Sequence, residues 1–479
     1  MSDPTDLSAQ LRRHAGSGRT ALRCGDDAVG YGELDARADA WAAWLRGRVR
    51  PGDRVATLCR SSIEQIALLY GCARAGAVLT PLPYRLRPPE LATLVDDATP
   101  ALLLHEPGCA GLATDTLRHA THQPIRLPLV RPGAAAPEPA DVDPEAPVLL
   151  IYTSGSSGRP RGVPLSHRMC VATGEALDGV ARLEPDDVVL QLLPQYHVGG
   201  WTVLPLLALA RGATLVVEPE FDADRALRRL AEATVTMAVP TMYRMMADSA
   251  SFGAADLSSV RLAIAGGAAL PGEPARAWWA RGVPLCQGYG LTEAGPNVLC
   301  VPPSDVHASA GWAGVPYPGV EVALAGAPAG PGTGELLVRG PAVFGGYWGG
   351  PPHRGWLHTG DLAERDERGW YRIVGRLDDR YVSGGENVAP AEVERVLRAN
   401  PAVADATVVG VPDERWGAVG VAFVVARATV DGEALRAWCR ERLAGFKVPA
   451  RVTFVDSLPT TGLGKVRRDM LRDMAKELG

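Results

Sequence analysis

Val148-Leu149-Leu150-Ile151-Tyr152 runs directly into Thr153-Ser154-Gly155-Ser156-Ser157-Gly158-Arg159-Pro160-Arg161-Gly162. The first five residues are a short apolar run and read as a buried strand. The ten that follow supply what a phosphate needs beyond a strand end: glycines that let backbone N–H groups approach closely, rotatable hydroxyl donors and nearby cations. This is not a Walker A loop, because no Gly-Lys-[Ser/Thr] closes it. Nor is it a hydrolase nucleophile elbow, because no G-x-S-x-G passes through Ser154, Ser156 or Ser157. Taken alone, such a Gly/Ser stretch is as readily a surface turn as an anion site.

The surrounding chain alternates helical and β-branched patterns. Helices are expected over 31–45 and 62–73, and a buried strand over 53–58, which argues for an α/β sheet. The Ala/Pro/acid-rich stretch 131–147 reads as an exposed connector, and the Gly/Pro-rich stretch 325–334 as a turn between strands. The last hundred residues read as a small α+β unit. Helices are expected over 391–398, 432–443 and 465–478, and strands over 406–411, 421–425 and 451–455.

The whole chain has 479 residues, 47% hydrophobic and 22% charged, the balance of a globular protein of roughly two to three domains. Lys and Arg number 49 against 54 Asp and Glu, for a net charge of −5, which argues against nucleic acid or an anionic membrane surface as partner. The richest apolar stretch, Trp201 to Ala210, is broken by Pro205, so no membrane span is expected. The N-terminus is acidic and polar, with no secretory signal to read. Eight scattered cysteines without a CxxC pair read as free thiols in a reducing, cytoplasmic compartment.

The loop from Tyr152 to Val163 resembles the phosphate loop of the adenylate-forming (AMP-binding) superfamily, and within it the acyl- and aryl-CoA ligases. Four further segments match in the family's order: Gly288-Tyr289-Gly290-Leu291-Thr292-Glu293, Trp356-x-His358-Thr359-Gly360-Asp361-Leu362, Gly375-Arg376-Leu377-Asp378-Asp379 and Gly462-x-Gly464-Lys465. The stretch Gly76-Ala77-Val78-Leu79-Thr80-Pro81-Leu82 is also similar, so the resemblance covers the chain from about Tyr31 to the last helix.

The resemblance implies a large N-terminal domain (1–376) of stacked α/β sheets with a β subdomain. It also implies a small mobile α+β C-terminal domain (377–479), hinged at Asp378. The implied activity has two steps. A carboxylate attacks the α-phosphate of ATP and expels pyrophosphate; the thiol of coenzyme A then takes the acyl group from the acyl-adenylate and expels AMP. Positioning and charge neutralisation dominate the first step.

By the same resemblance Thr153, Ser154, Gly155, Ser156, Ser157 and Gly158 cradle the β- and γ-phosphates with Arg161 beside them. Glu293 holds Mg2+, a hard cation suited to a carboxylate and phosphate oxygens. Thr292 meets the α-phosphate, Tyr289 stacks on adenine and Gly267 lines the nucleotide. Asp361 can accept two hydrogen bonds from the ribose diol, Arg376 adds a fixed cationic fork, and Lys465 neutralises charge during adenylation.

Arg85, Gly384, Gly385, Trp416, Phe446 and Lys447 fall where CoA ligases meet CoA; read alone, Trp416 and Phe446 are equally core residues of the small domain. The segment Leu193-Pro194-Gln195-Tyr196-His197-Val198-Gly199-Gly200-Trp201 supplies His197 and Trp201 to the acid pocket, with Ala265, Gly266 and Gly290. It contains no Asp to pair with an amino acid's amine. The run Ala263-Ile264-Ala265-Gly266-Gly267-Ala268-Ala269-Leu270 has little side-chain volume, which leaves room for a hydrophobic acid: aryl, fatty or polycyclic.

Two departures stand out. Arg161 replaces the family's usual Lys, a swap that is not conservative at a tight phosphate site, and the segment 348–356 is short. Two alternatives therefore stay open: ligation of a pre-formed acyl-adenylate with weak adenylation, and transfer to a carrier-protein phosphopantetheine. A third is a nucleotide-binding protein with little ligase activity. Whether the chain forms a homodimer is also open.

Overall fold

The computed structural model describes residues 6–134, 142–154, 160–308, 311–327, 330–383, 386–413, 416–443, 445–461 and 466–477. Contacts divide the chain into two compact bodies. One is Met1–Val322 with Val338–Leu357, and the other is Ala323–Leu337 with His358–Gly479.

The first body carries two sheets among its described residues. In one, the strands run Val315–Pro316, Leu299–Cys300, Leu285–Tyr289, Leu262–Ala265, Val235–Ala238, Val188–Gln191, Thr214–Val217, Thr20–Cys24 and Asp27–Gly30. Its middle pairs are parallel and its outermost pairs antiparallel. In the other the order is Ile125–Pro128, Leu102–His105, Arg54–Leu58, Val78–Pro81, Pro147–Ser154 and Pro160–Ser166, parallel but for the final hairpin. Parallel strands covered on both faces read as near-continuous apolar runs, which is why Leu102–His105 and Leu262–Ala265 are buried along their whole length.

The helices expected near the N-terminus form as Tyr31–Arg46 and Ile63–Ala75. Ser62 is the N-cap of the second, its hydroxyl accepting from Gln65 N at 3.2 Å, and Gly76 ends it at φ 71°. A left-handed C-terminal residue at this cost-free position is the usual helix stop.

Glu321–Ala325, Gly332–Arg339, Leu357–Arg365 and Tyr371–Arg376, whose residues fall mainly in the second body, pair in one sheet. In that body's other sheet, Glu386–Val388, Tyr381–Ser383, Gly417–Ala426 and Val403–Asp413 follow in order, with Arg451–Phe454 also on Gly417–Ala426. The two long strands exceed their apolar runs because their pairing continues as far as Asp413 opposite Gly417. Helices Pro390–Arg398 and Gly432–Arg440 match expectation. The closing helix is Arg468–Glu477, starting later than the sequence pattern suggests. Ahead of it, Val466 pairs with Thr460, and Arg467 N donates to Pro459 O at 2.8 Å.

No helix among the described residues is long and apolar enough to cross a membrane.

Candidate active site

The strand expected over 148–152 forms, longer than its apolar run, as Pro147–Ser154. Pro147–Ser154 pairs antiparallel with Pro160–Ser166, setting Thr153 opposite Arg161 and Ser154 opposite Pro160. Thr153 Oγ1 donates to Arg161 O at 3.4 Å. Gly155, Ser156, Ser157 and Gly158 lie outside the described residues, as does the side chain of Ser154. Arg161 extends over the ring of Tyr347, 4.1 Å from its centroid, and Gly162 O accepts from Trp348 N at 2.8 Å.

Tyr289 ends the strand Leu285–Tyr289, and Thr292–Ala294 form a short 3-10 turn. Between them Gly290 lies so close to the next segment that a Cβ there would sit 1.7 Å from Pro296 O. This turn buries Glu293, 9% exposed. Its Oε1 accepts the Tyr347 hydroxyl at 2.8 Å, and no salt bridge joins it to a cation among the described residues. A buried carboxylate is costly unless it is paired or coordinates a metal. One oxygen held by a hydroxyl and a second left for coordination is a donor set that fits Mg2+, with phosphate oxygens and water completing the shell.

The wall beside this turn is set by a residue that sequence reasoning missed, Gln287. Its Oε1 accepts from Leu270 N at 2.5 Å, and its Nε2 donates to Ala268 O at 3.1 Å and to Gly288 O at 2.6 Å. The amide thereby fixes the run that contains Ala265, Gly266 and Gly267, the last at φ 80°. Met237, on an interior strand whose neighbours Thr236 and Ala238 are fully buried, is itself half-buried. Its Cε lies 2.7 Å from where a Cβ on Gly266 would be.

The loop bearing His197 is held from beneath. Gln195 Oε1 accepts from Ser62 N and from Gln65 Nε2, both at 3.0 Å, and Gln195 N donates to Ser61 Oγ at 3.2 Å. Trp201 is fully buried with its indole N–H on Gln195 O, so it anchors this loop from the core. The His197 ring stands 4.4 Å from that of Tyr196. Burial, with the Arg85 guanidinium adding to it, pushes the His197 imidazole down to about 4, so the ring is neutral at pH 7. Arg85 itself stands 5.8 Å from the Tyr84 ring centroid.

The cysteines are free in the structure. They are poor nucleophile candidates, since burial pushes the Cys300 and Cys439 thiols up to about 11.

In the second body Asp361 and Arg376 are register partners in neighbouring strands, with Nη1 3.4 Å from Oδ1. Thr359 Oγ1 donates to Leu336 O at 2.7 Å and accepts from Asp361 N at 3.0 Å. Glu335 accepts from Gly360 N at 3.0 Å and meets His358 Nδ1 at 2.7 Å. Asp361 is thus buried within a braced stretch of the strand Leu357–Arg365. Asp378 falls in the 3-10 turn Leu377–Asp379, its side chain outside the described residues, as are Gly384, Gly385 and Lys465. Trp416 and Phe446 are exposed, at 47% and 37%, and so are not core residues. Lys447 Nζ is paired with Glu392 at 2.7 Å, an ion pair that any phosphate there would have to share.

The chain matches the AMP-binding enzyme family over residues 7–348 and the AMP-binding enzyme C-terminal domain over 392–465. It is 40% identical over 97% of its length to a feruloyl-CoA synthase of Amycolatopsis sp., covering 96% of that protein. It is 37% identical to an indoleacetate–CoA ligase of Aromatoleum aromaticum, with 98% of each chain covered. The crystal structure of ATP-bound MatB from Rhodopseudomonas palustris superimposes with a TM-score of 0.90 at 32% identity, covering 99% of each chain.

The protein belongs to the AMP-binding enzyme family. Within it the chain is an AMP-forming acid–thiol ligase, with ATP and coenzyme A as its co-substrates and Mg2+ as its metal.

Proposed function

We propose that this ligase converts a hydrophobic acid bearing an aromatic ring into its CoA thioester through an acyl-adenylate. The observation that carries this reading is the buried Glu293, unpaired with any cation among the described residues and held by Tyr347 next to the phosphate-loop strand. The choice of acid rests on two supports. The relatives at 40% and 37% identity are named for feruloyl and indoleacetate, and the wall Ala265-Gly266-Gly267 has almost no side-chain volume.

In this reading Thr153, Ser154, Ser156 and Ser157 bind the β- and γ-phosphates, and Arg161 adds charge. Glu293 holds Mg2+, which supplies neutralisation of phosphate charge. Thr292 meets the α-phosphate and Tyr289 the adenine. Asp361 accepts from the ribose hydroxyls, with Arg376 fixing its carboxylate. Lys465 neutralises charge in the first half-reaction. The segment 377–479 turns about Asp378 between half-reactions, and Gly384 and Gly385 serve the second.

His197, neutral at working pH, lies between acid and thiol, where an uncharged ring can face an apolar acid without an unpaired charge. Gly290, Gly266 and Ala265 shape the acid pocket, and Trp201 holds the loop that carries His197. Exposed Trp416 and Phe446 offer faces on which the CoA adenine can stack, with Arg85 and Lys447 toward its phosphates. Free and mostly buried cysteines suit a reducing cytoplasm.

The test is mass spectrometry of the protein with ATP, Mg2+, CoA and a pool of aryl, fatty and polycyclic acids. An ATP-dependent aryl-CoA is expected. Product only from fatty acids would overturn the choice of acid. Product only from synthetic acyl-adenylates would overturn adenylation.

A further inference from the structure

One segment of the first body touches both the phosphate-loop strand and the turn that carries Glu293. Phe344 N donates to Glu293 O at 2.9 Å, and three residues on the Tyr347 hydroxyl donates to Glu293 Oε1 at 2.8 Å. Trp348 N then donates to Gly162 O at 2.8 Å, and Arg161 lies 4.1 Å over the Tyr347 ring. The fit between Trp348 and the strand is close, since a Cβ on Gly162 would sit 3.1 Å from Trp348 Cβ.

The segment itself is held in shape. Gly346 adopts φ 129°, where a Cβ would fall 2.5 Å from Pro351 O. The Phe344 and Tyr347 rings meet edge to face at 4.8 Å, a favoured aromatic geometry. Backbone contacts thus fix where the Tyr347 ring stands, and the ring in turn has one polar group to place.

We propose that Tyr347 is a positioning residue: its hydroxyl orients the Glu293 carboxylate for the metal, while its ring face holds the Arg161 guanidinium beside the phosphate loop. This rests on the nucleotide and metal roles proposed above. The two halves use different parts of one side chain. A hydroxyl bonded to Oε1 restricts the rotation of the carboxylate and would leave Oε2 available to the cation. A planar guanidinium stacks on an aromatic face in a way that the point charge of a lysine ammonium does not. The departure from lysine at 161 and the tyrosine at 347 are therefore one device, in which the ring restricts a bulkier cation.

The test uses the full chain with Mn2+ as a paramagnetic probe and α,β-methylene-ATP as nucleotide. Mn2+ binding is followed by electron paramagnetic resonance, and nucleotide binding in EDTA by calorimetry. Tyr347→Phe keeps the ring and loses the hydroxyl. It should weaken Mn2+ binding to the protein–nucleotide complex about tenfold, the scale of a lost hydrogen bond to a charged group, and leave metal-free nucleotide affinity unchanged. Tyr347→Leu should lower both. Unaltered Mn2+ binding in Tyr347→Phe, or an equal fall in both quantities, would overturn the proposal. If Mn2+ adds nothing to nucleotide binding by the wild type, the metal role of Glu293 fails first and takes the role of Tyr347 with it. That outcome is distinct from a wild type that binds Mn2+ normally and is indifferent to residue 347.

Discussion

Asp361 and Arg376 face each other across a pair of antiparallel strands, with the guanidinium Nη1 3.4 Å from Oδ1 of a carboxylate that is only 8% exposed. The ion pair leaves a buried carboxylate fixed in direction, which is what recognition of a vicinal diol requires. Asp361→Ala should raise the KM for ATP about ten- to a hundredfold, the range of a lost hydrogen bond to a charged group. The sharper measurement is discrimination between ATP and its 2′- and 3′-deoxy analogues. Wild type should favour ATP and the variant should not. A variant that still prefers ATP by the wild-type factor would take the ribose away from Asp361.

Two histidines make stability fall in mild acid. His167 is 2% exposed, and its Nδ1 receives Leu7 N at 3.4 Å. Burial lowers it to about 4, against a smaller opposing pull from Asp6 and Asp143; burial lowers His197 likewise. Both folded values lie below the unfolded one, so the unfolded chain binds more protons between about pH 4 and 6.5. The stability is therefore complete above about pH 6.5 and is lost as pH falls toward 4. From pH 7 to pH 5, His167 alone should cost about 2 kcal/mol. Urea unfolding of wild type and His167→Asn at both pH values checks this: the variant should lose less by that amount, and equal losses would refute it. His197 should show no protonation step between pH 5.5 and 8 in NMR of its ring.

Two glycines proposed to shape the acid pocket should respond differently to alanine. At Gly290 the added Cβ meets Pro296 O at 1.7 Å, a backbone atom that cannot step aside. Gly290→Ala should displace the turn that carries Thr292 and Glu293, and adenylation should fall at least a hundredfold. At Gly266 the obstacle is Met237 Cε at 2.7 Å, the far end of a flexible side chain. Gly266→Ala should fold normally and shift kcat/KM toward smaller acids. Steady-state kinetics across acids of graded size would decide it; unchanged size preference in Gly266→Ala would remove Gly266 from the pocket wall.

Much of the local structure of the candidate site was legible because its residues lie within short contiguous motifs. The strand ending at Ser154 and the buried turn at Glu293 are each written in six or seven neighbouring residues. Tyr347 was not legible: it lies 54 residues from Glu293, and long-range backbone bonds, Phe344 N to Glu293 O and Trp348 N to Gly162 O, bring the segments together. Gln287 escaped for a related reason, since an amide in a strand shows its role only once the carbonyls around it are placed. The paired ends of Val403–Asp413 and Gly417–Ala426 were read short because pairing, not side-chain polarity, sets their length. The grouping of Ala323–Leu337 with the chain after His358 depends on strand pairing and leaves no mark in local composition.

The last prediction concerns Arg468, two residues beyond the Thr460–Val466 pair. Its Nη1 donates to Glu394 Oε1 at 2.6 Å and to Val408 O at 2.9 Å, and its Nε lies 3.2 Å from Asp379 Oδ2. Arg472 reaches the other oxygen of Asp379 at 2.8 Å. The residue after Asp378 is thereby tied to the closing helix and, through Glu394, to Pro390–Arg398. Glu394 is 2% exposed, so removing its guanidinium leaves a buried carboxylate with Arg398, at 3.5 Å, as its remaining cation among the described residues. Arg468→Met should destabilise the second body by about 3 kcal/mol. Adding Glu394→Gln should recover most of the loss, because a buried ion pair replaced by neutral groups costs little while a broken one costs much. Chemical denaturation of both single variants and the double variant measures the coupling. Additive losses would mean that Arg468 and Glu394 do not act as a unit, and that Asp379 is not braced through them.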